Sequence, residues 1–369
     1  MTQQLLGVSI IISNYNNARF LGAAIDSALG QDHPLCEVIV VDDCSTDNSR
    51  EIVVGYADRI RCMLRETNGG QTIAVMGAWA LARYPILMFL DSDDLLFPHA
   101  ASTVAGHWTT AAVKAQFPLA TIDPEGRQLG HVNPRFPPNL ETALIRAALL
   151  RTGQSPSSPG SGNAYSRSLL DRIHADGGFE IENPRDIFPD GVLDCNAAFY
   201  GEIVTLYQPL ACYRIHDGND SAQNTVDLAR FAKGVRYSQR KLDYLAQRCR
   251  DWGIPFDAVD AGNRSPWLLD CRLAMKKLAR TCNASQEPIS DILYYGVRAH
   301  LGEDGRSRIA KIVRALWFVI VALSPRRLAS RMIALRFLVA QRPRWLAVTF
   351  SKLTKVKTSA WLTSLTRQQ

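Results

Sequence analysis

The sequence lacks most of the signatures that assign a chain at sight. Its eight cysteines (36, 44, 62, 195, 212, 249, 271 and 282) are scattered, with no CxxC pair. That spacing speaks against a zinc site and a disulfide framework and fits a reducing cytoplasm, with most thiols serving as small core residues. No GxGxxG follows the first apolar run, and GxxxxGK[ST] is absent. Any phosphate bound here is therefore held by loop amides and a metal rather than by a glycine cradle. Internal repeats and low-complexity tracts are missing too. Met1–Gly7 is uncharged and short, so no secretory leader is expected. The uncharged tail run Ala315–Pro325 falls short of the roughly 20 residues a bilayer span needs.

What is present is a large apolar fraction, 47% of 369 residues, enough for two domains or one with an extension. Net charge is +7 but unevenly spread. Residues 301–369 hold 14 Lys/Arg against 2 Asp/Glu, a net of +12, which leaves −5 on residues 1–300. The body is mildly acidic and the tail strongly basic. Nucleic acid is not an expected partner, because no aromatic platform or groove-reading motif accompanies the charge.

Apolar periodicity predicts β-α-β-α-β-α-β over the first 90 residues. The strands are Val8–Ser13, Glu37–Val41, Ile60–Leu64 and Ile86–Leu90, and the helices Ala18–Leu29, a segment through Tyr56 entered at Ser45-Thr46-Asp47, and Thr72–Arg83. This alternation implies an α/β fold with a doubly wound, mainly parallel sheet. Three strands end in polar clusters: Ser13-Asn14-Tyr15, Asp42-Asp43 and Asp91-Ser92-Asp93-Asp94. Parallel strands bring such ends to one edge, where open α/β sheets bind ligands.

The last cluster carries the sharpest chemistry. Asp91 and Asp93 lie on the same side of an extended segment, with Asp94 opposite or in the turn. Paired hard oxygens after a buried strand suit Mg²⁺ or Mn²⁺ shared with phosphate oxygens. The alternative is capping of the next helix by Asp93 or Asp94. An EF-hand is excluded, because Leu95 and Leu96 stand where that loop needs an oxygen ligand and Gly.

Ser9–Asn16 (SIIISNYN), Val40–Asp47 (VVDDCSTD), Asn68–Gln71 (NGGQ) and Asp91–Asp94 (DSDD), in this order and spacing, resemble the family 2 glycosyltransferases. The resemblance covers about residues 7–222 and implies an inverting, nucleotide-sugar-dependent enzyme of the A-type glycosyltransferase (GT-A) fold. It implies Asp91 and Asp93 as the metal-binding DxD, with Asp93 the better direct ligand. It implies Asp43 at the nucleobase and Asp42 at the ribose, with capping of the Ser45–Asp47 turn as the alternative for both. Tyr15 suits stacking on a base and Ser13 a hydrogen bond beside it, and Asn68, Gln71 and Ser92 join the donor-binding set. Asn163, in Ser161-Gly-Asn-Ala164, is a candidate acceptor contact or simply a turn residue. Inverting transfer needs one carboxylate to take the acceptor proton. Counting back from Gly201 as the family does reaches Asp190, with Asp194 as runner-up and Asp186 third; Pro189 departs from the family's usual Glu. Tyr213-Arg214-Ile-His216, within Tyr207–Ser221, resembles the family's closing element. There His216 suits the metal or the leaving phosphate and Arg214 the diphosphate charge.

Residues 114–140 read as strands and loops covering the crevice, Glu141–Arg151 as a helix, Ser155–Ser161 as a flexible loop and Arg167–Ile173 as a helix. Leu228–Cys249 and Leu268–Leu278 read as helices around a turn-rich Trp252–Pro266. Ile309–Leu323, Ala329–Ala340 and Pro343–Leu353 mix apolar residues, including Trp345, with Lys/Arg. Such segments suit an anionic membrane surface, or else pack on the body with a solvated basic face.

The expected organisation is a catalytic domain over 1–225 (nucleotide half 1–113, acceptor half 114–225), a helical extension over 226–305 and basic amphipathic helices over 306–369. The expected partners are a nucleotide-diphospho-sugar, a UDP-sugar by family default, and a saccharide or lipid-linked saccharide acceptor of surface polysaccharide or glycolipid synthesis. The expected cofactor is a divalent cation, and the expected place the cytoplasm or the inner face of the membrane. A sugar-phosphate nucleotidyltransferase and a non-catalytic nucleotide-sugar or glycan-binding module are the alternatives.

Overall fold

A computed structural model describes residues 5–219, 226–279, 287–302 and 307–338, without the side chain of Asp186. Residues 220–225, Cys282 and the helix expected over Pro343–Leu353 lie outside the described residues. The chain divides into two compact units. The first holds Met1–Phe136, Leu140–Ile145 and Pro156–His216, and the second Pro137–Asn139, Arg146–Ser155 and Asp217–Gln369.

In the first unit β1 (Val8–Asn14), β2 (Cys36–Asp42), β3 (Arg61–Leu64) and β4 (Ile86–Asp91) alternate with α1 (Ala18–Leu29), α2 (Ser49–Gly55) and α3 (Gln71–Leu81). All four strands fall within a residue or two of their predicted bounds. Ile10, Ile12, Val40, Met88 and Leu90 are buried between the sheet and its helices with Leu21, Ala24 and Ile25 of α1. Strands covered on both faces need such near-continuous apolar runs.

β5 (Leu95–Leu96) and α4 (Ala100–Gly106) follow, then β6 (Ala112–Gln116), β7 (Leu119–Ile122), β8 (Gln128–Asn133), α5 (Thr142–Thr152), β9 (Asn163–Ser166), α6 (Arg167–Ala175), α7 (Pro189–Tyr200), β10 (Glu202–Thr205) and β11 (Ala211–Arg214). The main sheet has seven strands in the order β10-β6-β9-β4-β1-β2-β3, and a second sheet runs β5-β11-β7-β8. β9 runs antiparallel to both β4 and β6, so the sheet is mixed. The sequence offers the Ser161–Ala164 stretch as an acceptor contact or a turn, and the structure makes Asn163–Ser166 a strand. Four residues carry too little periodicity to announce a strand, and the open edges of β4 and β6 recruit them. β6 likewise joins the main sheet instead of only covering the crevice.

The second unit is helical: α8 (Leu228–Asp251), α9 (Ala258–Asn263), α10 (Pro266–Leu278), α11 (Ile289–Leu301), α12 (Arg308–Leu323) and α13 (Arg326–Phe337). Asp227, Asp257, Ser265 and Ser307 cap α8, α9, α10 and α12 through their side chains, satisfying amides that a helix start leaves unpaired. The turn-rich reading of Trp252–Pro266 misses α9, although Asp257 is its cap. Phe231, Leu269, Leu273, Ile292, Phe318, Val321 and Ile333 form the core. Gly296 leaves the space that the Phe318 ring fills.

One carboxylate gathers four of these helices. Asp270 (α10) is 1% exposed and meets His300 Nε2 (α11) at 3.0 Å, Arg336 Nε (α13) at 3.1 Å and Arg314 Nη2 (α12) at 3.7 Å. Burial alone would raise the Asp270 pKa, but Arg336, His300 and Arg314 outweigh it and hold it below the usual carboxylate value. His300 is pushed below the usual imidazole value, mainly by burial. Folded His300 thus takes up its proton only below the pH at which the unfolded chain does. Its contribution is intact above about pH 6.5 and lost as pH falls through that range, with the Asp270 contribution lost at still lower pH. Urea midpoints measured from pH 8 to 5 are expected to fall, and His300→Gln to flatten that slope. Asp270→Ala, which removes the buried acceptor shared by His300, Arg314 and Arg336, is expected to cost about 3–5 kcal/mol.

Candidate active site

The register of β1 fixes the site. Ser13 pairs with Asp91 of β4, and Asn14 with Asp42 of β2. The three polar strand ends therefore stand at one level. Asn14 Nδ2 donates to Asp42 Oδ2 at 2.9 Å and to Ser45 Oγ at 3.2 Å. Asn16, held at φ 51°, accepts from the Thr46 amide at 2.7 Å. Asn17 Nδ2 reaches Ser92 Oγ at 3.1 Å. The loops after β1, β2 and β4 are thus stitched together, and Tyr15 stands out from them with its ring 51% exposed.

Four of the expected contact residues have partners within the protein. Asp42 is fully buried and accepts from Asn14, the Ser45 amide (2.9 Å) and Arg50 Nε (3.2 Å). It holds the turn, as the capping alternative has it. Asp43 accepts from the Gly69 and Gly70 amides, at 3.0 and 2.7 Å, and pairs with Arg65. It anchors the Asn68–Gln71 loop, where Gly70 adopts φ 87°, a conformation that suits glycine. Arg214 is 4% exposed. Its Nε donates to the Asp93 carbonyl at 2.7 Å, its Nη1 to the Pro124 carbonyl at 2.8 Å, and its guanidinium stacks over Phe20 at 4.8 Å. It straps the aspartate loop down. Asn163 is fully buried, with Nδ2 donating to the Ser158 and Pro159 carbonyls at 3.0 and 2.9 Å. It braces Ser155–Ser161, which is no loose loop: Ser158 and Ser161 are buried, and Ser158 bonds the Phe117 carbonyl.

At the centre Gln71 Nε2 donates to Asp91 Oδ1 at 2.6 Å and to Ser13 Oγ at 3.2 Å. Ser161 Oγ accepts the Asp91 amide at 3.0 Å and donates to Asp94 Oδ2 at 2.6 Å. The Asp94 pKa is pushed well up by burial and by the charges of Asp93 and Asp91. Asp91 is pushed up to about 7 by burial, then by Asp93 and Asp190. His216 Nε2 lies 3.0 Å from Asp93 Oδ2, its ring against Phe20 at 4.7 Å.

Among the described residues no three His, Cys, Asp or Glu side chains are grouped to hold a metal ion. Asp91, Asp93 and His216 are not drawn into such a group in this arrangement. His216 spends its Nε2 on Asp93 and orients it. Crowded, desolvated carboxylates still fit a divalent cation that takes its remaining ligands from a diphosphate and water.

Asp190 sits in the first turn of α7, after Pro189 at the helix start, where a negative charge is favoured. Thr72 Oγ1 of α3 donates to the Ile187 carbonyl at 2.6 Å, fixing the entry to that helix. The charge of Asp190 reaches Asp91. Asp194, the runner-up, is 5% exposed. It is paired with Lys114 Nζ at 2.5 Å and accepts from Tyr165 OH at 3.0 Å. Through these contacts Asp194 ties α7 to the strands β6 and β9. The sequence carries no sign of a site role for Ser161, Asn17, Phe20, Lys114 or Tyr165, whose partners lie far along the chain.

Residues 9–173 match the model of "Glycosyl transferase family 2". A glycosyltransferase of Nostoc sp. is 34% identical over 219 residues, 58% of this chain and 66% of that protein. TuaG of Bacillus subtilis, a putative teichuronic acid biosynthesis glycosyltransferase, is 40% identical over 90 residues, 24% of this chain and 36% of that protein. The chain thus spans just under two thirds of one relative's length and about a third of the other's. Among solved structures, S. aureus TarS 1-349 in complex with UDP-GlcNAc superposes with a TM-score of 0.52 at 15% identity, over 86% of this chain and 90% of that one. That likeness is one of fold.

Lys114→Met would remove the cation paired with the buried Asp194, so it is expected to cost about 3–5 kcal/mol in denaturant melts. Asp190→Asn is expected to change stability by less than about 1 kcal/mol. The contrast separates the ion-paired Asp194 from Asp190 at the helix start.

Proposed function

Residues 9–173 belong to the family 2 glycosyltransferases, and on that basis we propose that the chain moves a sugar from a nucleotide-diphospho-sugar to a hydroxyl acceptor, inverting the anomeric carbon. One observation carries this reading: Ser13, Gln71, Asp91 and Asp93 meet at the strand ends, with the charge of Asp190 acting on Asp91. A donor laid across those ends sets its base beside Tyr15 and its diphosphate towards Asp91 and Asp93. When bound there, a divalent cation stabilises the charge that develops on the leaving diphosphate. Asp190 accepts the proton of the acceptor hydroxyl while that oxygen attacks the anomeric carbon. The bond to the diphosphate oxygen breaks in the same displacement, and the leaving group keeps the electron pair. Gln71 and Ser161 hold Asp91 in place, and His216 holds Asp93.

A UDP-sugar is the default donor through the family, and TarS carries UDP-GlcNAc on the same fold. The name of TuaG favours a saccharide or lipid-linked saccharide acceptor of surface-polymer synthesis. Such an acceptor would place the enzyme in the cytoplasm or at the inner membrane face. No helix among the described residues is long and apolar enough to cross a bilayer.

Asp190→Asn is expected to lower turnover by about 10²–10⁴-fold while donor affinity holds. Full transfer by that variant would remove Asp190 as the base. In a thermal-shift panel of nucleotide-sugars with and without Mn²⁺, the true donor is expected to raise Tm only with the metal. Asp93→Ala is expected to abolish that metal-dependent shift.

A further inference from the structure

Helix α12 is apolar on both sides. Ala310, Ala315, Phe318, Val321 and Ala322 face the core of the helical unit. Ile309, Ile312, Leu316, Ile320 and Leu323 are 63, 50, 55, 48 and 74% exposed. Their spacing of three and four residues aligns them on one outward stripe, about 21 Å long at 1.5 Å per residue. Single exposed aliphatics are ordinary on a protein surface, whereas a continuous stripe marks a contact. Arg314 does not interrupt it, because it turns to Asp270.

Charge selects the occupant. Residues 307–338 hold seven Lys/Arg and no Asp/Glu. Two of the seven, Arg314 and Arg336, serve Asp270 inside the unit. On α13 the exposed Leu328, Arg331 and Leu335 follow one another at helical spacing, with Arg327 exposed beside them. A two-fold contact with a second copy through this face would set like charges against each other with no acid between them. An anionic lipid surface meets both features, since it takes the aliphatic stripe into its interface and its headgroups neutralise the arginines.

We propose that the outward face of α12, with Arg327, Leu328, Arg331 and Leu335 of α13, docks this protein on anionic membrane. The stripe lies in the interface plane. This proposal does not depend on the transferase reading, since it can be tested without any sugar donor.

The test is co-sedimentation of the full chain with phosphatidylcholine vesicles, with and without phosphatidylglycerol. Binding is expected only to the anionic vesicles and is expected to weaken with salt. The double variant Leu316→Glu with Ile320→Glu changes exposed side chains only, and circular dichroism checks that it folds. It is expected to lose vesicle binding, and Arg327→Glu with Arg331→Glu to weaken it about tenfold or more. Wild-type protein that ignores anionic vesicles overturns the proposal, as does a folded Leu316/Ile320 variant that sediments like wild type. A light-scattering dimer that this variant dissociates, without vesicle binding by wild type, would assign the face to a second copy and also overturn it.

Discussion

Parallel pairing of β1 with β2 and β4 is the constraint on which the rest of the first unit depends. The register sets Ser13 against Asp91 and Asn14 against Asp42, and a slip of one residue would send each side chain to the opposite face. Three loops that are far apart in sequence then share one layer of hydrogen bonds through Asn14, Asn16 and Asn17. That layer leaves the site rigid before any ligand arrives, and positioning of that kind is where much catalytic power originates.

The carboxylates around this layer divide by what surrounds them. Asp42, Asp43 and Asp94 accept from protein amides or side chains and build the loops. Asp194 is spent on Lys114. Asp91, although bonded by Gln71, also feels the charges of Asp93 and Asp190, and burial first, then those charges, push it up to about 7. A cation or a proton relieves that repulsion. Like charges held together by a folded scaffold are a feature of sites, because nothing in packing alone rewards them.

Buried single carboxylates recur as organisers. Lys114, Tyr165 and Asp194 tie two strands to α7, and Asp270 ties four helices together. In each case losing one partner is worse than losing the whole arrangement, since the remaining charge has no water to turn to. Such ties add specificity to cores whose aliphatic contacts are non-directional.

The sequence by itself determined the βαβ order, the bounds of the first four strands, the cluster of acids after β4 and the family to which they point. Those signals are local: apolar period, turn residues and short ordered motifs are written within a few positions of the elements they specify. It also pointed to Asp190 and His216, through what the family resemblance implies. Only the tertiary structure decided that β9 enters the sheet antiparallel, that Asp42, Arg214 and Asn163 brace loops, that Asp194 is neutralised, and that α12 turns an aliphatic stripe outward. Each of those outcomes hangs on a partner tens of residues away. Whether a polar side chain is spent on the protein or left for a ligand is settled by what the fold brings beside it.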